Sequence, residues 1–362
     1  MERREFLRRG LAVSAGLAFG LPKFDRLAGA NAAPWRSFEV TTRIEITDAV
    51  GATRAWMPLP LTTNTDYFKR EPDSWTGNFK GARAVQYDKY GTGMVFADWA
   101  PGEKSPVIEL KSRFTTRNRQ IDLSKKPDPS IKESKAVLDY FKKPSKLIRT
   151  DGIVAETARG ITLGYKSDMD KARAIYEWIV DNTFRDPKVK GCGIGDISTM
   201  LQTGYLGGKC ADLNALYVGL ARAAGLPARD VYGVRVANSA EFKSLGRADD
   251  ITGAQHCRAE VYLNGYGWVP VDPADVRKVV LEENQPELLP LDDPKVKRAR
   301  AKLFGAWEMN WLPYNYAHDI KLPQSNGPEI GFLMYPQTET ANGRKDSLDP
   351  KNFSYAIKSK EI

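Results

Sequence analysis

The chain has 362 residues, 42% of them hydrophobic, which suits one large domain or two ordinary ones and excludes the disordered and collagen-like classes. Its formal charge of +9 is partly local, since residues 1–32 hold six basic and three acidic side chains and leave about +6 for the remainder, ordinary basicity. The basic residues are scattered, and the one dense group, Lys295, Lys297, Arg298, Arg300 and Lys302, has the spacing of a solvated helix face, so no nucleic-acid partner is expected.

The first segment reads as a targeting signal. Arg3-Arg4-Glu5-Phe6-Leu7 is a twin-arginine pattern, the apolar run from Gly10 to Leu21 is too short to span a bilayer, and Ala30-Asn31-Ala32 is an A-x-A cleavage site before Ala33 and Pro34. Residues 1–32 are therefore expected to be a twin-arginine signal peptide. The mature chain is placed in the periplasm or otherwise outside the cytoplasm, with the membrane a partner only during export; an uncleaved anchor or a chance basic amphipathic start is the alternative.

From residue 33 to 125 the pattern is that of strands. Phe38 to Ile46 and Val107 to Phe114 alternate apolar and polar residues, and prolines and turn residues fill the gaps, so a small β-sandwich-like domain is predicted. Ser124 to Ser130, with Pro127 and Pro129, reads as a linker. Residues 131–362 form the second unit. Apolar spacing predicts helices around Val137 to Phe141 and Ala172 to Ile179, and a third from Cys210 through Leu213, Leu216, Tyr217, Leu220 and Ala224, closed by Gly225 and Pro227. Strands return at Asp230 to Val236, Arg258 to Leu263 and Trp268 to Val271, with a strand-rich extension behind them. The fold class is thus α+β, helices packed on an antiparallel sheet after a β-rich domain.

Three cysteines are too few and too irregularly spaced for a disulfide scaffold or a zinc module. Cys210 stands at the predicted helix N-terminus, where unpaired amides and the macrodipole favour a thiolate and a developing oxyanion, and Gly207 and Gly208 before it permit close approach. Cys192 and Cys257 are either a disulfide pair or simply buried thiols, and burial is favoured. Of the two histidines, His256 opens the strand His256-Cys257-Arg258-Ala259-Glu260, and Asp272 follows on the next strand. A thiol, an imidazole to take its proton and a carboxylate to fix the imidazole are the parts that nucleophilic attack on a carbonyl requires.

Gly208-Lys209-Cys210-Ala211-Asp212-Leu213-Asn214-Ala215-Leu216, with Leu220 to Arg229, resembles the cysteine block of the transglutaminase-like superfamily. His256 and Trp268-Val269-Pro270-Val271-Asp272-Pro273 are similar to its histidine and aspartate blocks. The resemblance covers roughly residues 165 to 280. It implies a papain-like transglutaminase core with Cys210, His256 and Asp272 as the catalytic residues. Many members carry an aromatic residue two places after the histidine, where this chain has Arg258. Strand alternation puts Arg258 on the His256 face, where it either draws a substrate carboxylate or pairs with Glu260 or another carboxylate.

The register of the hairpin decides whether the three parts meet. A plain two-residue turn at Asn264-Gly265 would put Asp272 on the Cys257 face, away from His256; a three-residue loop from Asn264 to Tyr266 sets it across from Arg258 and diagonal to His256. His318 competes for the base role but lies among aromatic residues that read as structural. Gln202 and Trp178 are candidates for substrate or oxyanion contacts. Gly191 to Asp196 reads as a tight loop near the cleft without phosphate-loop spacing. The expected activity is thiol hydrolysis of peptide or other amide bonds through an acyl-enzyme, on a peptide or protein substrate with cell-wall peptide among the candidates. The alternatives are transfer of the acyl group to an amine, and a non-catalytic binding or assembly role on the same scaffold. No cofactor and no metal is expected.

Overall fold

The computed structural model describes residues 33–87, 90–351 and 353–362, so the twin-arginine segment lies outside the described residues. The first unit contains β1 (Arg36–Glu45), β2 (Thr53–Pro58), β3 (Phe68–Arg70), β4 (Ser74–Gly77), β5 (Gly81–Tyr87), β6 (Thr92–Trp99), β7 (Val107–Thr116) and the short β8 (Arg119–Gln120). Alternation on β1 buries Phe38, Val40, Thr42 and Ile44 and turns their neighbours outward, the two-residue period of a half-buried strand. β1 pairs antiparallel with β7, and β2 with β6 and β6 with β5 form a second sheet. The two sheets trap Ile44, Met57, Leu59, Val95, Trp99, Ile108 and Leu110 between them, which makes a sandwich.

The second unit begins with α1 (Lys135–Tyr140), α2 (Gly152–Thr162), α3 (Asp168–Asn182), β9 (Phe184–Arg185), α4 (Ile197–Thr203), β10 (Gly207–Gly208) and α5 (Cys210–Ala223). Every residue of α5 from Cys210 to Arg222 is buried, because the helix lies between α2 and α3 on one side and the sheet on the other. Leu226 N–H reaches back to the Ala221 carbonyl, and Gly225, at φ 89°, supplies the left-handed residue that ends the helix. Then follow β11 (Ala228–Arg235), β12 (Asp249–Asp250), β13 (Gln255–Leu263), β14 (Gly267–Val271), α6 (Pro273–Glu282), α7 (Pro294–Lys302), β15 (Ala306–Trp307) and β16 (Trp311–Asn315). The sheet under α5 runs β14-β13-β11-β16, with each neighbour antiparallel. The basic cluster falls on α7, where Arg300 pairs with Asp181 and Lys302 with Glu241, the solvated face its spacing predicts.

The chain does not keep to the division 33–125 and 131–362. Its end contains β17 (Gln337–Thr340), β18 (Gly343–Arg344) and β19 (Ser354–Glu361), and these strands return to the first unit. β19 pairs with β1 over Phe38↔Glu361 to Glu45↔Ser354, and β17 pairs with β2. The open edges of β1 and β2 take up the last strands, so the extension assigned to the catalytic unit completes the sandwich instead. β12, from the second unit, also pairs with β19, and β8 pairs with β15.

A buried ion cluster ties the two units more tightly. Glu260 on β13 is wholly buried and accepts from Arg119 of β8 and from Arg229 Nε at 2.5 Å. Arg119 also donates to the Trp268 carbonyl, and the Arg229 guanidinium lies between Trp268 and Tyr316, 3.9 and 3.8 Å from the ring centroids. The two guanidiniums hold the Glu260 carboxyl below its usual range against the opposing effect of burial. Removing the carboxylate alone strands both cations. Glu260→Ala is expected to lower unfolding free energy by about 3–5 kcal/mol, read as a fall in the denaturant midpoint. A change below about 1 kcal/mol would show that the cluster does not hold the units together.

Candidate active site

Cys210 is the first residue of α5, and two local features place it. Asp212 at the third helical position accepts from Lys209 N–H at 2.9 Å through one oxygen and from Ile194 and Gly195 N–H at 3.0 Å through the other. The glycine-rich loop is thereby fastened across the helix start. A Cβ on Gly193 would fall 1.8 Å from an Asp212 oxygen, which accounts for that glycine. At Gly208 a Cβ would meet Asp212 at 2.5 Å, so the glycine makes room for this carboxylate rather than for a substrate. The Cys192 carbonyl, in the same loop, accepts from Ala211 N–H at 2.9 Å, and the Cys192 Sγ lies 3.2 Å from the Gln255 carbonyl oxygen.

β13 and β14 bring the next two side chains. Leu263 faces Gly267 across a three-residue loop, with Gly265 and Gly267 both at positive φ, and the ladder runs back to Ala259↔Val271. Asp272 therefore emerges beside Arg258 and diagonal to His256, whose Nε2 lies 2.8 Å from Asp272 Oδ2 and 3.3 Å from Asp275 Oδ2. Asp272 is also the N-cap of α6, accepting from Asp275 N–H at 3.1 Å, and Asn214 of α5 donates to its Oδ1 at 3.1 Å and to the Cys257 carbonyl at 2.8 Å. With Nε2 held by carboxylates, Nδ1 is the ring nitrogen left for the Cys210 thiol, with which His256 shares a hydrogen bond.

Burial alone would push the Cys210 thiol up, but hydrogen bonds from Cys192, Cys257 and His256 outweigh it and hold the thiol well below its ordinary value. Cys257 Sγ lies 3.8 Å from Cys210 Sγ. Burial, and the neighbouring sulfurs, push the Cys257 thiol well up, so it stays protonated and donates. The three cysteines are free, and the Cys192–Cys257 disulfide considered from sequence is not formed. For His256, burial and Arg235 favour the neutral ring, yet Asp275 and Asp272 prevail and raise it to about 9. Asp275 is held well below the usual carboxylate range, chiefly by Arg235 at 2.6 Å overcoming burial, whereas burial and Asp275 together raise Asp272. The arrangement favours a thiolate and an imidazolium side by side. His256, Asp272 and Asp275 place ligand atoms within 4.8 Å of one another, but Arg235 and Arg258 already supply positive charge to those carboxylates, which fits a histidine clamp better than a cation site.

Cys210 and His256 open on a cleft of about 810 Å³ lined also by Cys192, Arg235, Gln255, Tyr335 and Tyr355. The other residues singled out from sequence do not line it. Arg258 is 2% exposed and packed over Trp311 and Trp307, donating to the Glu308 carbonyl at 2.9 Å with its Nε 3.7 Å from Asp272. It therefore neither meets a substrate nor pairs with Glu260, and it braces Asp272 from behind. Gln202 is exposed on α4, and Trp178 packs against the core from α3. His318 lies 3.2 Å from Asp230 and contacts Tyr232, at a separate small pocket. Sequence reasoning missed Asp275, Arg235, Asn214 and Asp212. The Asp-Pro-Ala-Asp spacing after the strand and the acidic third helical position after Lys209 were the available signals for two of them.

Residues 155–273 match the model of the Transglutaminase-like superfamily core. An uncharacterized protein of Haemophilus influenzae is 36% identical over 328 residues, covering 86% of this chain and 87% of its own. Among solved structures, a Cytophaga hutchinsonii protein provisionally assigned as a cysteine protease is 17% identical, with a TM-score of 0.51 over 91% of this chain and 99% of its own, a likeness of fold. The periplasmic domain of TgpA from Pseudomonas aeruginosa gives a TM-score of 0.34 at 13% identity, over 73% of this chain and 92% of its own. With the cysteine, histidine and aspartate blocks inside the matched segment, the chain belongs to the transglutaminase-like superfamily.

Proposed function

We propose that this chain is an exported thiol hydrolase of peptide or other amide bonds, with Cys210 as nucleophile, His256 as acid and base, and Asp272 as the group that fixes the imidazole. The observation that carries the reading is a thiol at a helix N-terminus and a carboxylate-clamped imidazole sharing one cleft. The Cys210 sulfur attacks the amide carbonyl carbon and forms a C–S bond. The oxyanion lies at the N-terminus of α5, where the Cys210 N–H has no intrahelical partner. Protonated His256 gives its proton to the leaving nitrogen as the C–N bond breaks, which leaves a thioester and a neutral ring. Water then loses a proton to His256 and attacks the thioester; the sulfur departs and the carboxylic acid is released.

Transfer to an amine would use the same thioester. The cleft wall bears Lys243, Arg247 and Lys278, which repel an approaching alkylammonium ion, and this favours water as the acceptor. Export rests on the twin-arginine pattern and cleavage site of residues 1–32; no helix among the described residues is long and apolar enough to cross a membrane.

Incubating the protein with peptides, with and without a labelled primary amine, tests the reading. Peptide cleavage without amine incorporation is expected, and Cys210→Ala should abolish it. His256→Ala should cut kcat/KM by at least about a hundredfold. Amine incorporation in place of cleavage would instead establish acyl transfer, and a thiol labelled by iodoacetamide no faster than an ordinary cysteine would point to a scaffold.

The pH dependence follows from the histidine. His256 is raised to about 9, so the imidazolium that protonates the leaving nitrogen persists below that pH and is lost above it. Peptide kcat/KM should fall as pH rises through about 9. Asp275→Asn removes a carboxylate that raises the ring, so the falling limb should move to lower pH. A limb that stays in place would show that Asp275 does not hold the proton.

A further inference from the structure

Beyond the sulfur, the cleft carries more positive charge than its own carboxylates can match. Arg185 and Lys278 converge on one carboxylate, Glu282, at 2.7 and 3.5 Å. The other acidic residue of the wall, Glu283, is taken by Lys295 at 3.1 Å and by Ser244 N–H at 2.7 Å. Beside them, Arg247 Nε donates to the Asp250 carbonyl and its charge also steadies the Asp250 carboxylate, while Lys243 has no carboxylate within ion-pair distance among the described residues. Lys278 is the most enclosed of these amines, its side chain 17% exposed. Burial, with Arg235 and Arg185 nearby, works against its charge and lowers its pKa. A cation held among cations in a cleft open to solvent is a site that an anion would relieve.

The position of Lys278 says which anion. Asp275, which clamps His256, Lys278 and Glu282 lie at i, i+3 and i+7 on α6 and so share one helix face. Lys278 is therefore about 5 Å further along the helix axis than the clamp. Lys278 lines the same cleft as Cys210, so the carboxylate placed to meet it is one carried by a peptide whose scissile carbonyl is seated over that sulfur.

We infer that the Lys278 side of the cleft, with Arg185, Lys243 and Arg247, is a subsite for a substrate carboxylate near the scissile amide. The inference rests on the thiol hydrolase reading and narrows its substrates to acidic peptides. The carboxylate comes either from a free chain end or from an acidic side chain, and the chemistry of recognition is the same.

Binding can be separated from turnover in the Cys210→Ala protein, using fluorescent peptides that end in a free carboxylate, carry an internal glutamate, or are neutral through amidation and glutamine. At least one carboxylate peptide is expected to bind about tenfold more tightly than its neutral match, the scale of one charge-assisted contact, and the arm that gains identifies the source. Lys278→Met should erase the difference, Lys278→Arg should keep it, and Arg247→Ala on the exposed rim should reduce it without touching the fold. Equal affinity for charged and neutral peptides, no binding by any of them, or an equal loss for all of them in Lys278→Met would overturn the subsite. Cleavage by the unaltered protein is read separately. Carboxylate-selective binding without cleavage would sink the hydrolase reading and leave the subsite, whereas cleavage indifferent to charge would do the reverse.

Discussion

The site depends on a charge balance enclosed in the protein interior. The Cys210 thiolate, Asp272 and Asp275 contribute three negative charges, and the His256 imidazolium, Arg235 and Arg258 contribute three positive ones. All six side chains belong to buried residues, so any one of them left without its counterpart would meet the desolvation cost of an isolated ion. A proton passing from His256 to Cys210 changes no net charge. The assembly can hold either protonation state of the pair, a property that acid–base chemistry on a thiol needs and that a single isolated carboxylate would not provide as well.

Arg258 acquires its meaning within that balance. Burial lowers its pKa to about 10, yet it remains the cation behind Asp272, spread over the faces of Trp311 and Trp307. Where superfamily relatives carry an aromatic side chain on the strand, this chain supplies aromatic surface from β15 and β16 and places a guanidinium between that surface and the carboxylate. Arg258 therefore supports Asp272 from the side away from the cleft. The positive charge that Arg258 does not present to the cleft is supplied there by α6 and the loop around Lys243.

Much of the architecture is written in local patterns. The two-residue alternation of β1 and β7, the stripe and terminal glycine of α5, and the odd hairpin loop at Asn264 to Tyr266 are all legible because each rests on contacts near in sequence. The three-residue loop is also the length that lets Asp272 meet His256. What the sequence concealed depends on distant partners. Nothing local distinguishes β19 from a strand of the second unit, although its partner β1 lies more than 300 residues earlier. Nor does a lone Arg235 announce that it will neutralise Asp275, 40 residues on.

That return of the chain also bears on the cleft. Tyr335 lies just before β17 and Tyr355 within β19, and both line the cleft, while Cys192 N–H donates to the Tyr335 hydroxyl at 2.9 Å. The segment that closes the sandwich therefore also lines the cleft beside Cys210, and Tyr335 at its start fixes the loop that carries Cys192. A core of α5 and its sheet alone would hold Cys210, His256 and Asp272 together but would leave that side open to water. Because β19 pairs with β1 of the first unit and with β12 of the second, the shape of the cleft wall depends on how the two units are joined. The N-terminal sandwich, far from Cys210 in sequence, thus helps to shape the cleft onto which that sulfur opens.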